Sequence, residues 1–111
     1  MSTLTRHLFI LWAPFSRSPG TTGRWASSRS AHRATLDPLI ASGTIKLAGP
    51  VLSPEADLSK PHVELEKFGT VLVYQGETLE SVRKLVETDP FYTEGVWDRD
   101  RLQLHPMVNV A

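Results

Sequence analysis

Cysteine is absent from this 111-residue chain. That absence excludes disulfides, thiolate catalysis and cysteine-ligated zinc together, and it favours a reducing compartment, read here as the cytoplasm. Neither sign of charge is in excess: 12 Lys and Arg balance 12 Asp and Glu. The chain therefore lacks the basic footprint of a nucleic-acid binder. No apolar run approaches the roughly 20 residues that a membrane helix needs; the longest is Leu8 to Phe15. His7, His32, His62 and His105 form no HxH or HxxxH pair, so no metal site is expected. Gly20 and Gly23 fit neither nucleotide-binding fingerprint, and Ser27, Ser28 and Ser30 do not sit in a nucleophile elbow. Any chemistry is expected to run without a cofactor.

Acidic residues are missing before Asp37, a stretch that carries Arg6, Arg17, Arg24, Arg29, Arg33 and many serines. An Arg-rich, Ser-rich, acid-free segment has the composition of a mitochondrial transit peptide. The same segment holds Leu8 to Trp12, which reads as a core strand that a small domain cannot lose. A composition 41% hydrophobic and 22% charged belongs to an ordinary globular protein, and the length suits one domain over residues 1–111.

Four apolar segments have strand character: "HLFILWAPF", "TIKLAGPV", "FGTVLVYQ" and "LQLHPMVNV". In the last, Leu102, Leu104, Val108 and Val110 alternate with Gln103, His105 and Asn109. "SRSPGTTG" is a loop of turn formers, after which a helix is expected from about Trp25 to Gly43 with Leu36, Leu39 and Ile40 inward. Pro38 is expected to kink it. Pro54 to Lys67 reads as a surface excursion. Thr78 can cap a second helix whose apolar stripe is Leu79, Val82, Leu85 and Val86.

The order strand, helix, strand, strand, helix, strand predicts an α+β, ferredoxin-like βαββαβ fold, a four-stranded antiparallel sheet with both helices on one face. The first and third strands are apolar on both sides, so the uncovered face predicts a homodimer formed by sheet-to-sheet packing. A net charge of zero does not oppose further assembly into a higher oligomer.

One helix end breaks a local rule. In "LESVRKLVETDPFYTEGVW" the aspartate Asp89 stands at the negative end of a helix. An Asp before Pro is also a common turn former, bonding nearby backbone amides. On the first helix His32 lies four residues before Leu36, at the edge of the buried stripe, with Arg29 beside it. A histidine there can simply satisfy a backbone carbonyl, but both helices share one sheet face. An Asp89–His32 pair across the gap would orient the imidazole and raise its basicity. Arg29 is then placed to hold a substrate oxygen, and free arginines at the mouth would attract an anion. Tyr92, Phe91 and Trp12 complete the candidate substrate contacts, although aromatic residues equally suit core or interface.

"RSAHRATLDPLIASGTIKLAGP" and "SVRKLVETDPFYTEGVW" together resemble the two signatures of the YCII-related domain family. The resemblance implies a dimeric α+β barrel with an active site around the family's histidine and aspartate, here His32 and Asp89. It also implies small-molecule chemistry, since some relatives act in the breakdown of ring compounds. The expectation is a cofactor-free lyase or isomerase acting on a ring-derived or polyketide-like small molecule by His-Asp general acid/base catalysis. A non-catalytic dimeric binding or accessory protein and a cofactor-free monooxygenase are the alternatives.

Overall fold

A computed structural model describes residues 6–111, the side chain of Val63 excepted. Residues 1–5, which the single-domain reading takes in, lie outside the described residues. The elements are β1 (His7–Pro14), α1 (Thr21–Ala41), β2 (Ile45–Leu52), a 3-10 turn at His62–Glu64, β3 (Lys67–Gly76), α2 (Leu79–Thr88), α3 (Pro90–Thr93) and β4 (Gln103–Met107). The strands form one sheet in the order β2-β3-β1-β4, with every neighbouring pair antiparallel. This is the expected ferredoxin-like α+β arrangement.

Strand alternation separates the two faces of the sheet. Phe9, Leu11 and Ala13 of β1, Leu72 and Tyr74 of β3, Ile45 of β2 and Leu104 of β4 are buried together with Val82 and Val86 of α2. The register puts Phe9 opposite Tyr74, and Leu11 between Leu72 and Leu104. α2 begins in a capping box: the Ser81 amide donates to Thr78 Oγ1 at 3.0 Å, and the Thr78 amide donates to Ser81 Oγ at 3.3 Å.

On the other face Leu8, Ile10, Trp12, Val71 and Val73 are half-buried and Leu47 is 56% exposed. Ile10 pairs with Val73, which pairs with Leu47, so these side chains form a continuous apolar row.

Three expectations need correction. α1 starts at Thr21, not near Trp25, because Gly20 turns the chain at φ 84° and Arg24 gathers the turn residues into the first turn. Its guanidinium donates to Ser18 Oγ, Thr21 Oγ1 and the Pro19 carbonyl. Ile40, expected inward, is exposed, on the last turn of α1, where Pro38 lies within the helix and the Ser42 amide donates to the Pro38 carbonyl at 3.0 Å. Val108 and Val110 are exposed, because the β1–β4 ladder ends with Leu8 opposite Met107 and leaves them no strand partner among the described residues.

α1 contributes little to the core. Its buried residues are Ser28 and Leu36. A helix this polar on its inner side leaves room between itself and the sheet, and the candidate site occupies that room.

Tyr74 gives the core a pH signature. Burial, and secondarily the negative charge of Asp89, raise its phenol above the ordinary 10.0. The folded chain then keeps a proton that the unfolded chain has released, so this contribution to stability is complete below pH 10.0 and is lost as pH rises toward the folded value. Denaturant titrations on either side of pH 10.0 should show a steeper alkaline loss in the parent than in Tyr74→Phe. Equal slopes would contradict the placement of that proton.

Candidate functional site

Asp89 closes α2 and opens α3. Its backbone is extended, at φ −70° and ψ 134°, and Pro90 follows as the first residue of α3. Proline suits that position because its fixed φ is helical and its missing N–H would have had no partner. Asp89 Oδ1 accepts the Phe91 amide at 2.8 Å, a side-chain N-cap. The carboxylate thus sits at the positive end of the next turn as well as the negative end of α2.

The same oxygen is 2.6 Å from His32 Nδ1, across 57 residues of sequence. Asp89 is 1% exposed and the His32 side chain 12%. An ionised carboxylate can only accept, so beside it Nδ1 is the donor in this contact. Nε2 of the neutral ring is then the proton acceptor. Among the described residues nothing bonds Nε2. The ring lies flat on Phe91, with centroids 3.7 Å apart and planes at 4°, and Trp97 meets it edge-on at 5.8 Å. Trp97 is itself held by its indole N–H, which donates to Thr70 Oγ1 at 3.1 Å. Gly95, at φ 71°, allows the tight return that brings the Trp97 amide back to the Phe91 carbonyl at 2.9 Å.

A cavity of about 430 Å³ opens over this imidazole. From α1 it takes Trp25, Arg29, His32, Arg33 and Leu36, which share one helical face, and Phe91 and Thr70 form the floor. Arg29 lies over the Trp25 ring at 5.3 Å. No carboxylate lines the cavity among the described residues. Its size is in the range of small-molecule sites, and its walls are mainly apolar with a few placed polar groups.

Of the residues picked from the sequence, His32, Asp89, Phe91 and Arg29 converge here. Trp12 and Tyr92 do not. Trp12 belongs to the uncovered sheet face, where it pairs with Val71 and Gln103. Tyr92 is half-buried against the core and does not line the cavity; its hydroxyl lies toward Glu87 at 3.5 Å and its ring under the Arg99 guanidinium at 4.7 Å. Sequence reasoning passed over two wall residues, His62 and Lys67, because they come from the excursion between β2 and β3. Spacing carries no trace of a loop folding back over a helix thirty residues away.

Residues 15–103 match the YCII-related domain family. The chain belongs to that family. This YCII-related chain is 31% identical over 75 residues to fusaric acid biosynthesis protein 2 of Gibberella moniliformis, covering 68% of this chain and 69% of that protein. The corresponding protein of Gibberella fujikuroi is 29% identical. An aspartate kinase of Fusarium oxysporum f. sp. lycopersici is 31% identical over 78 residues, of which the chain spans only 13% of the kinase's length. Among solved structures, the chain is similar to 5-chloro-2-hydroxyhydroquinone dehydrochlorinase from Burkholderia phenoliruptrix in complex with 2,5-dihydroxybenzoquinone. The TM-score is 0.74 at 24% identity, over 92% of this chain and 94% of that one. At this identity the likeness is one of fold.

The His32–Asp89 contact should be measurable as a coupling. A double-mutant cycle of His32→Ala and Asp89→Asn, followed by denaturant unfolding, should give an interaction free energy above about 0.5 kcal/mol. Additive losses would mean that the two side chains do not share the hydrogen bond in solution.

Proposed function

We propose that this YCII-related chain is a cofactor-free lyase or isomerase acting on a ring-derived small molecule, with His32 as its general base. The observation that carries the reading is the 2.6 Å Nδ1–Oδ1 contact of an imidazole whose other nitrogen has no partner among the described residues. Asp89 holds the tautomer that leaves the Nε2 lone pair directed at substrate, and it stabilises the imidazolium once a proton is taken. In an elimination, Nε2 removes a proton from a carbon next to a carbonyl or from a ring hydroxyl. The electron pair of the broken bond forms the new double bond, the leaving group departs with its own pair, and the imidazolium returns its proton to solvent or to the leaving group. Arg29, resting on Trp25 at the cavity wall, meets the oxygen on which negative charge develops. Relatives named for fusaric acid biosynthesis, and a structural neighbour named a dehydrochlorinase, support small-molecule chemistry of this kind.

A second reading keeps the pair but not the reaction. Asp89 also caps α3, so the contact with His32 can serve to lock α1 to the α2–α3 junction in a binding or accessory domain. Kinetics separate the two. Turnover would be sought first with 5-chloro-2-hydroxyhydroquinone, the compound in the neighbour's name. His32→Ala should lower kcat/KM by about 10²–10⁴-fold while the protein stays folded. Undiminished activity in the folded variant would end the base assignment.

The uncovered face, with Ile10, Val73 and Leu47 in one row and Trp12 beside Val71, is proposed to pack against the same face of a second copy. A lysine at its centre, Val73→Lys, should shift the sedimentation of the protein from dimer to monomer. A monomeric parent would rule this interface out.

A further inference from the structure

Lys67, the first residue of β3, carries the fixed cation of the site. Its ammonium donates to the His62 carbonyl at 2.9 Å and to the Leu65 carbonyl at 3.1 Å. An ammonium has three N–H donors, so one remains after these two. No described residue accepts it. Of the other cations on the wall, Arg33 pairs with Asp37 at 2.8 Å, and Arg29 lies on Trp25 with no backbone tether of this kind among the described residues. A lysine normally loses much rotamer freedom on binding an anion. Here the two backbone bonds hold the head group in place beforehand, which removes most of that cost.

Its position is as telling as its tethering. Lys67 lines the His32 cavity and also an adjoining cavity of about 620 Å³, bounded by Ser16, Arg17, Ser18 and Thr21. Phe15 and Trp25 are shared by both cavities, so Lys67 and these two rings form the divide. No carboxylate lines either cavity among the described residues, and an anion arriving there meets no repelling wall.

We propose that Lys67 selects an acidic ring compound. The remaining N–H of Lys67 binds an anionic oxygen of the substrate, whether carboxylate, enolate or phenolate, at the divide, while the ring lies on the His32 side. This deepens the proposed function and rests on its placement of the ring beside His32. It assigns the grip on the resting anion to Lys67, and leaves to Arg29 the oxygen whose charge grows during reaction.

The probe is 2,5-dihydroxybenzoquinone, a vinylogous acid that is anionic at neutral pH, with its neutral dimethyl ether as comparator. Binding of each is followed by visible absorbance with the parent, Lys67→Met and Lys67→Arg proteins. Losing a preorganised, charge-assisted hydrogen bond should weaken the acidic quinone about tenfold or more in Lys67→Met, with little change for the ether. Lys67→Arg should restore most of the preference. If Lys67 only staples the loop, Lys67→Met weakens both quinones alike, and that result overturns the proposal. So does an acidic quinone that the parent does not bind, or one that Lys67→Met binds as well as the parent. The readout needs no turnover. A protein that discriminates through Lys67 but eliminates nothing would sink the proposed reaction and leave this inference standing.

Discussion

One oxygen atom, Asp89 Oδ1, organises the functional half of this molecule. It accepts the Phe91 amide at the start of α3 and the His32 Nδ1 proton from α1. The first bond sets how the chain turns out of α2; the second ties that turn to the other helix. Phe91, whose amide is bound, is also the residue whose ring supports the imidazole. Orientation of His32 about its own side-chain bonds is therefore restricted in two directions, by the hydrogen bond in its plane and by the stacked ring beneath it. The other carboxylate oxygen, Oδ2, is buried with no hydrogen-bond partner among the described residues. Such a group costs about 1–3 kcal/mol. A cost of this kind, retained at one buried carboxylate beside a cavity, fits a residue selected for its site and not for stability alone.

The two faces of the sheet have separate roles. The helix-side face carries the core under α2, where Val82 and Val86 seat on Leu72, Tyr74 and their neighbours, and the cavity under α1. Dense packing under one helix and open space under the other follow from composition. α2 presents apolar residues at helical spacing, whereas α1 turns a mixed face inward, with Trp25, Ser28, His32 and Leu36. Aromatic rings from outside the long helices add to the apolar side of the site: Phe15, before α1, lines the cavity, and Trp97, after α3, packs edge-on against Phe91. The opposite face is kept apart from this chemistry, so a partner could cover it without obstructing the cavity.

Electrostatics complete the division. Arg29, Arg33 and Lys67 stand around a cavity with no acidic group on its wall among the described residues; Asp89 lies below the imidazole, and Asp37 pairs with Arg33 away from the wall. A positive rim above a base oriented from beneath suits a substrate that arrives with negative charge and gains more during reaction. Chain neutrality hides this arrangement, because the balancing acids lie elsewhere on the surface.

Much of the fold could be read from the chain. Alternation in β1 and β3, the Thr78 cap and the Val82–Val86 stripe each act over a few residues, and local periodicity determines which side of an element is buried. The same reasoning put His32 on the inner edge of α1 and marked Asp89 as out of place at a helix end. It failed where the deciding contacts were distant. The start of α1 depended on the Arg24 side chain gathering a loop, and the fate of Val108 and Val110 on where β1 stopped pairing. Trp12 and Tyr92 went to other surfaces because strand parity and a cation–π contact, not residue type, direct those rings. Lys67 and His62 came to the cavity only through the return of a long excursion. The sequence by itself determined the order of elements, the buried stripes and the misfit aspartate, since these are properties of neighbouring residues. Only the tertiary structure decided which distant groups share the cavity, because that depends on how helices and loops are carried over the sheet.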